Sequence, residues 1–306
     1  MPKSTMKDIA RIANVSVATV SYVLNNVTNQ SIPEATRCHI LQIAKDLEYI
    51  PNLVARSLAT NKTGLAGILI NKEPNPPYWR RQHHLSFVDG LERLLINAGF
   101  HTLLFTLDAS NPSLDVIIER KLEAVFLIDV KNEHFYEISS KFVEGVPLIL
   151  IDSLIEDKLF KQITFDFETA LELAAAAIKA PYCLIMEQYN NSSLARYIQN
   201  SVNLPASAIH TVNELSDLDS FIEHASYDHA IVINEFIGNY VEQSNRFKSL
   251  TVICTCDCPE ILGFQVRKIT FQENKSLLAF QMMEQLLKHQ EPVQQDSNQF
   301  FAKVKL

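Results

Sequence analysis

Two short stretches of helical apolar spacing, joined at Asn14-Val15-Ser16, constrain this chain more than any other feature. Thr5 stands as an N-cap with Asp8 three residues on, a capping-box pattern. Ile9, Ala10 and Ala13 then form a small apolar stripe. Asn14-Val15-Ser16 interrupts it, and Ser16 is placed to cap a second helix. In that helix Val20, Val23 and Leu24 face back toward the first, leaving Val17, Ala18, Ser21 and Tyr22 outward. Two helices this short cannot form a core alone, so a third must cover them. Pro33 suits its first turn, and Ile40, Ile43, Ala44 and Leu47 carry the spacing. Tyr49-Ile50-Pro51-Asn52 ends it, because proline disfavours helix in the residue before it. Leu53 to Thr60 is a further helix-compatible piece with no core of its own. A helix pair with a tight turn and an exposed second helix has the geometry that fits a DNA major groove.

The net charge of −8 argues against a nucleic-acid binder until it is divided. Residues 1–62 hold seven lysines and arginines against four acids, a net +3, while the remainder holds 20 against 31, a net −11. Any docking on a polyanion is expected through the amino-terminal end. No apolar run is long enough to span a membrane, and the first residues lack a signal-peptide pattern, so a cytoplasmic protein is expected. Five cysteines without a secretory signal point to free thiols.

From Leu65 onward strand and helix alternate. Strands are expected at Leu65–Ile70, Thr102–Phe105, Ala124–Ile128, Pro147–Ile151, Tyr182–Met186, Ala230–Ile233 and Leu250–Cys254. Helices are expected around Leu85–Ala98, Leu114–Leu122, His134–Val143, Glu168–Lys179, Ser193–Val202, Leu215–His224, Phe236–Phe247 and Lys275–Lys288. This order implies parallel sheets with helices on both faces. Roughly 240 residues is large for one sheet, which favours two lobes. The expected organisation is a helix-turn-helix domain over 1–50, a hinge helix and linker over 51–62, and a two-lobed domain over 63–306.

The amino-terminal residues resemble those of LacI/GalR-family transcriptional regulators. The matching residues are Lys7-Asp8-Ile9-Ala10, Val15-Ser16, Thr19-Val20-Ser21, Leu24-Asn25, Thr36-Arg37, and Tyr49-Ile50-Pro51-Asn52 leading to Ala55-Arg56-Ser57-Leu58. The resemblance implies an all-α helix-turn-helix domain followed by two lobes like those of periplasmic sugar-binding proteins, with a ligand cleft between them. It is weaker in the second part, where only 7 glycines remain in the whole chain and the family's glycine-rich turns are mostly absent.

The resemblance implies base-edge contact for Val17, Ala18 and Tyr22. Val17 and Ala18 suit a thymine methyl group. Many relatives carry arginine where this chain has Tyr22, so a different operator preference is expected at that base. Ser16, Thr19, Ser21, Asn25 and Thr36 can donate to phosphates, which sets register rather than sequence, and Thr5 and Asn52 are grouped with them. The family's hinge leucine is Leu58, which would wedge into the minor groove, and Ala55 and Ala59 are small enough for two such helices to pack side by side. Packing of Leu58 against the effector domain is the alternative. About eight residues are too few for a stable isolated helix, so this hinge is expected to form only on DNA.

For the cleft, the resemblance points to Asn75-Pro76-Pro77-Tyr78-Trp79 as an Asn-Pro-aromatic turn. Asn75, Tyr78 and Trp79 are candidates there; for Trp79, stacking on a ligand and ordinary loop packing both stay open. Asp152, Arg196, Asn234 and Asp257 complete the expected effector set, each at or beyond the carboxyl end of a strand, where open α/β sheets bind ligands. The alternative for each is a capping or surface polar residue. Cys254, Cys256 and Cys258 would share one face if they lay on a strand, and small buried hydrophobes are the preferred reading. His83-His84 is an adjacent pair whose rings point apart, a poor chelate.

No Gly-x-Ser-x-Gly elbow, phosphate loop or metal-ligand spacing is present in the sequence, so neither enzyme nor metal or cofactor chemistry is expected. The expected function is a repressor acting as a homodimer on a near-palindromic double-stranded operator, modulated by a small ligand such as a sugar or sugar phosphate. The alternative keeps the DNA module and gives the second part a protein partner or no small ligand.

Overall fold

The computed structural model describes residues 4–25, 30–49, 62–110, 114, 119–142, 145–288 and 298–305. The hinge candidates Asn52, Ala55, Leu58 and Ala59, most of the loop over 26–32 and residues 115–118 of the helix expected over 114–122 lie outside them, and the described residues 114 and 119–122 are not helical. The chain divides into two units, Met1–Thr63 and Gly64–Leu306.

In the first unit, α1 spans Met6–Ala13, α2 Val17–Leu24 and α3 Glu34–Asp46. The capping box is complete: the Thr5 hydroxyl accepts from the Asp8 N–H, and the Asp8 carboxylate accepts from the Thr5 N–H. Asn14 takes the left-handed region at φ 52°, one of the few non-glycine residues that does so at low cost, and this ends α1. Ser16 then caps α2 by accepting from the Thr19 N–H at 3.0 Å. Pro33 stands at the N-cap of α3. Ile9, Val20 and Ile40 are fully buried where the three helices meet, with Val23 and Ile43 beside them. Truncating Ile40 there would cost about 2–5 kcal/mol.

The second unit holds two sheets whose strands pair in parallel. The first comprises β1 (Leu65–Lys72), β2 (His101–Asp108), β3 (Ala124–Ile128), β4 (Leu148–Ile151), β5 (Lys161–Phe165) and β11 (Gln299–Ala302), in the order β11-β5-β4-β3-β1-β2. The second comprises β6 (Tyr182–Glu187), β7 (Ile209–Val212), β8 (His229–Ile233), β9 (Ser249–Ile253) and β10 (Arg267–Ile269), in the order β10-β9-β8-β6-β7. Leaving β11 aside, each sheet runs from its second strand through its first to its third, fourth and fifth. Each therefore has a switch point, between β1 and β3 and between β6 and β8, where ligand clefts form in such sheets.

Helix α4 (Tyr78–Asn97), the short α5 (Phe135–Ser139) and α10 (Lys275–Leu287) belong to the first lobe. Helices α6 (Phe167–Ala176), α7 (Ser192–Asn200), α8 (Leu215–His224) and α9 (Glu235–Gln243) belong to the second. No helix among the described residues is long and apolar enough to cross a membrane.

Three corrections to the sequence reading bear on function. Helix α4 starts at Tyr78, seven residues before the expected Leu85, because its first two turns bury Arg80, His83 and His84 instead of an apolar stripe. Trp79 is consequently in a helix and not a loop. Strand β9 ends at Ile253, so Cys254, Cys256 and Cys258 do not share a strand face; they lie in the turn that follows.

Candidate functional site

The candidate nucleic-acid face lies on α2. Burial of Val20 and Val23 turns the opposite side of the helix outward, leaving Val17 42% and Tyr22 37% exposed, with Ala18 exposed beside them. The Ser16 and Thr19 hydroxyls lie 2.8 Å apart at the helix start. Asn25 ends the helix, its amide donating to the Ser21 carbonyl at 2.9 Å and to the Ser21 hydroxyl at 3.2 Å. Thr5 is committed to its cap, and Thr36 is half-buried on α3. The N-terminal N–H groups of α2 and these hydroxyls supply phosphate-compatible donors around an apolar, aromatic-tipped ridge.

The second site lies between the lobes. The carboxyl ends of β1, β3, β4, β6 and β8 carry Asn71, Asp129, Asp152, Glu187 and Asn234, all buried. Asp129, Asp152 and Asn234 take positive φ of 52°, 49° and 86°, which tips these side chains out of the strand line. From the first lobe, α4 contributes Arg80, His83 and His84, and α10 contributes Lys275 at its first turn.

His83 is the centre of this cluster. Its Nδ1 lies 2.8 Å from Glu187 Oε1 and its Nε2 lies 3.2 Å from Asp152 Oδ2. Burial alone would lower the imidazole pKa; the Glu187 carboxylate and the hydrogen bonds to Asp152 and Glu187 outweigh burial and the opposing Lys275, and push it up to about 9. His83 is therefore an imidazolium at neutral pH, donating from both nitrogens. Lys275 pairs with the same Asp152 carboxylate and holds it well below the usual carboxylate range despite its burial. Burial likewise pushes Glu187 up, but His83, Arg80 and the Asn234 amide bring it below its ordinary value. His84 sits 3.8 Å from Asp129, and its burial keeps its pKa below the ordinary value.

These contacts join the lobes. Arg80 donates to the Gln188 carbonyl. Asp129 Oδ1 accepts from the N–H groups of Asn190 and Asn191 at 2.9 and 3.3 Å. The Asn190 amide donates to the Asn71 carbonyl at 2.8 Å, and that of Asn191 to the Val130 carbonyl at 2.9 Å. Asp129, Asp152 and Glu187 face Arg80, His83 and Lys275, so the formal charges balance. The side chains around His83 leave no room for a water-sized sphere.

Of the sequence candidates, Asp152 and Asn234 are in this seam, the latter 3.3 Å from Glu187. Arg196 is not: it is exposed on α7, with Nε donating to the Ser192 carbonyl of its own helix. Asp257 is exposed and borders an open groove of about 650 Å³ with Gln82, Ser86, Phe236 and Asn274. Asn75 and Tyr78 are exposed, Tyr78 meeting Phe236 edge-on at 6.1 Å. Trp79 is 1% exposed and packs with Cys183, Ile185 and Val232 in the second lobe's core. His83 and His84 each reach a different carboxylate, so they do not converge on one ion.

The sequence reading missed Arg80, Asp129, Glu187, Asn190, Asn191 and Lys275, and it set aside His83 and His84 as a poor chelate. A signal existed for two of them: Asp129 and Glu187 are the first polar residues after buried-strand runs.

A three-helix module followed by a two-lobed parallel α/β unit is the architecture this chain adopts. Residues 5–52 match the family described as bacterial regulatory proteins, lacI family. The ribose operon repressor of Escherichia coli (strain K12) is 30% identical over 154 residues, covering 49% of this chain and 44% of that protein. Catabolite control protein A of Staphylococcus xylosus is 30% identical over 172 residues, covering 54% of this chain and 49% of that protein. The aligned region thus spans about half the length of these relatives. The structure of the lac repressor dimer bound to operator and the anti-inducer ONPF superposes over 99% of this chain and 97% of its own, with TM-score 0.73 and 14% identity, a likeness of fold.

Proposed function

We propose that this protein is a sequence-specific DNA-binding transcriptional repressor that acts as a homodimer on a near-palindromic operator. The observation that carries the reading is the Ser16-capped α2, whose apolar side is buried and whose Val17, Ala18 and Tyr22 project outward. Val17 and Ala18 contact thymine methyl groups, and Tyr22 reads a neighbouring base edge with its ring and hydroxyl. Leu58 wedges at the operator centre, flanked by Ala55 and Ala59, in a hinge that forms on DNA. The match of residues 5–52 to the lacI family supports this reading.

The experiment is selection from a random duplex library with the full chain, followed by fluorescence anisotropy against unselected competitor. The expected result is one enriched, near-palindromic site whose affinity falls steeply with salt. Enrichment of no sequence would refute the proposal.

For the second unit, relatives named for ribose-operon and catabolite control support a carbohydrate-responsive domain. The contacts proposed for such a ligand are Asn75, Tyr78, Asp152, Arg196, Asn234 and Asp257. The filled space around His83 supports the second reading at that part of the seam, and the groove beside Asp257 is where a ligand would enter under the first.

A further inference from the structure

We propose that the two lobes of Gly64–Leu306 are latched shut by the chain's own side chains, so that closure needs no small molecule; this rests on the regulator reading for its meaning but not for its test. The latch has an apolar half and an ionic half, both on the first two turns of α4.

Trp79 is the apolar half. The body of α4 packs on the first lobe's sheet through Phe87, Val88, Leu91 and Leu95. Its first turn instead inserts the Trp79 ring into the core of the second lobe. An indole this deeply buried contributes a large apolar area to whichever partner encloses it. Opening the lobes would expose it.

His83 is the ionic half. One turn beyond Trp79, it crosses from the first lobe to Glu187 of the second at 2.8 Å, while Asp152 and Lys275 complete the charge balance from behind. Arg80, between them in sequence, binds the Gln188 carbonyl. A ligand-closed cleft needs a space that the ligand fills. Around His83 that space is occupied by paired charges, and the open groove beside Asp257 lies outside the latch. A neutral saccharide can offer hydroxyls to these groups, but displacing His83 or Lys275 would leave a buried carboxylate without its cation, which is strongly unfavourable. The charges of His83, Lys275, Asp152 and Glu187 are therefore liganded by one another, while Trp79 Nε1, Arg80 Nε and His84 Nδ1 have no hydrogen-bond partner among the described residues.

The test uses the full chain without DNA. Trp79 is the only tryptophan, so emission and acrylamide quenching report its environment without ambiguity. Hydrogen exchange at the Asn190 and Asn191 amides reports the seam directly, because both donate across it. With no additive, Trp79 should emit in the blue and resist quenching, and both amides should be protected. Ribose and glucose at millimolar concentration should change neither readout. Glu187→Gln, which keeps the shape and removes the charge, should raise the quenching constant at least threefold and speed exchange of both amides at least tenfold. Arg80→Met should act in the same direction if Glu187→Gln folds poorly.

A readily quenched Trp79 in the unmodified protein would overturn the latch, as would added amide protection on sugar addition, or folded variants indistinguishable from the parent. Failure to bind any duplex while Trp79 stays shielded would instead remove the regulator reading and leave the latch standing.

Discussion

Alkali should loosen the second unit through a single proton. His83 is buried against Glu187 and Asp152, which hold its proton, and faces Lys275, His84, Tyr189 and Phe165. Its pKa rises from 6.5 to about 9 on folding. A tenfold gain in proton affinity corresponds to about 1.4 kcal/mol, so protonation of this ring stabilises the folded unit by on the order of 3 kcal/mol. The folded state binds the proton more tightly than the unfolded chain. The contribution is thus complete below pH 6.5, shrinks as pH rises, and is gone above about 9. Asp152 and Glu187, both depressed, lose their contributions only in acid, below this window. His84, also depressed, acts only below its ordinary value. Urea unfolding followed by Trp79 fluorescence at pH 6, 7.5 and 9.5 measures the effect, with His83→Gln as the reference that removes the titrating ring. Unmodified protein should lose on the order of 3 kcal/mol relative to the variant between the extremes. Parallel pH profiles for the two proteins would refute the assignment of the proton to His83.

Four shorter expectations accompany it. Tyr22→Ala should weaken binding to the selected duplex by roughly tenfold and relax preference at one base position, read by anisotropy against single-base variants. Ser16→Ala removes the cap of α2 and should cost about 1 kcal/mol of stability, visible as a lowered melting temperature by circular dichroism. Gly238→Ala would place a Cβ 2.7 Å from a Val252 methyl, so about 1–3 kcal/mol should be lost in urea unfolding. Leu58→Ala should leave free-protein stability within about 0.5 kcal/mol of the parent but reduce operator bending in a permuted-fragment gel assay.

The sequence revealed those parts whose local chemistry and tertiary burial agree. The Thr5/Asp8 capping box and the Ser16 cap are local hydrogen-bond patterns, and each formed as spaced. Strand Ala124–Ile128, buried throughout, matched residue for residue because a continuous apolar run leaves little choice. Strands β5, β7, β10 and β11 escaped notice. They are short, carry polar residues such as Lys161, His210, Lys268 and Gln299, and three of them lie at sheet edges where one side is unpaired. Only a small part of the site was legible. Asp152 and Asn234 follow apolar strands and stood out, whereas Arg80 carried no signal and His83 drew notice only as half of a poor chelate, because a charged stripe has the same spacing whether it meets water or a second lobe. Lys275 was invisible for the same reason, its partner Asp152 lying 123 positions away.

The path of the chain through the two sheets has a consequence for synthesis. The polypeptide lays down β1 to β5, leaves to build the whole of the second sheet, and only then returns with α10 and β11. During translation the edge of β5 and the apolar floor awaiting Ala279, Met282 and Met283 stay uncovered until α10 and β11 have left the ribosome. The second lobe, contiguous from β6 to β10, can mature earlier. A nascent chain stalled before Lys275 would therefore present an open strand edge to its neighbours, and chaperone demand should peak in that interval.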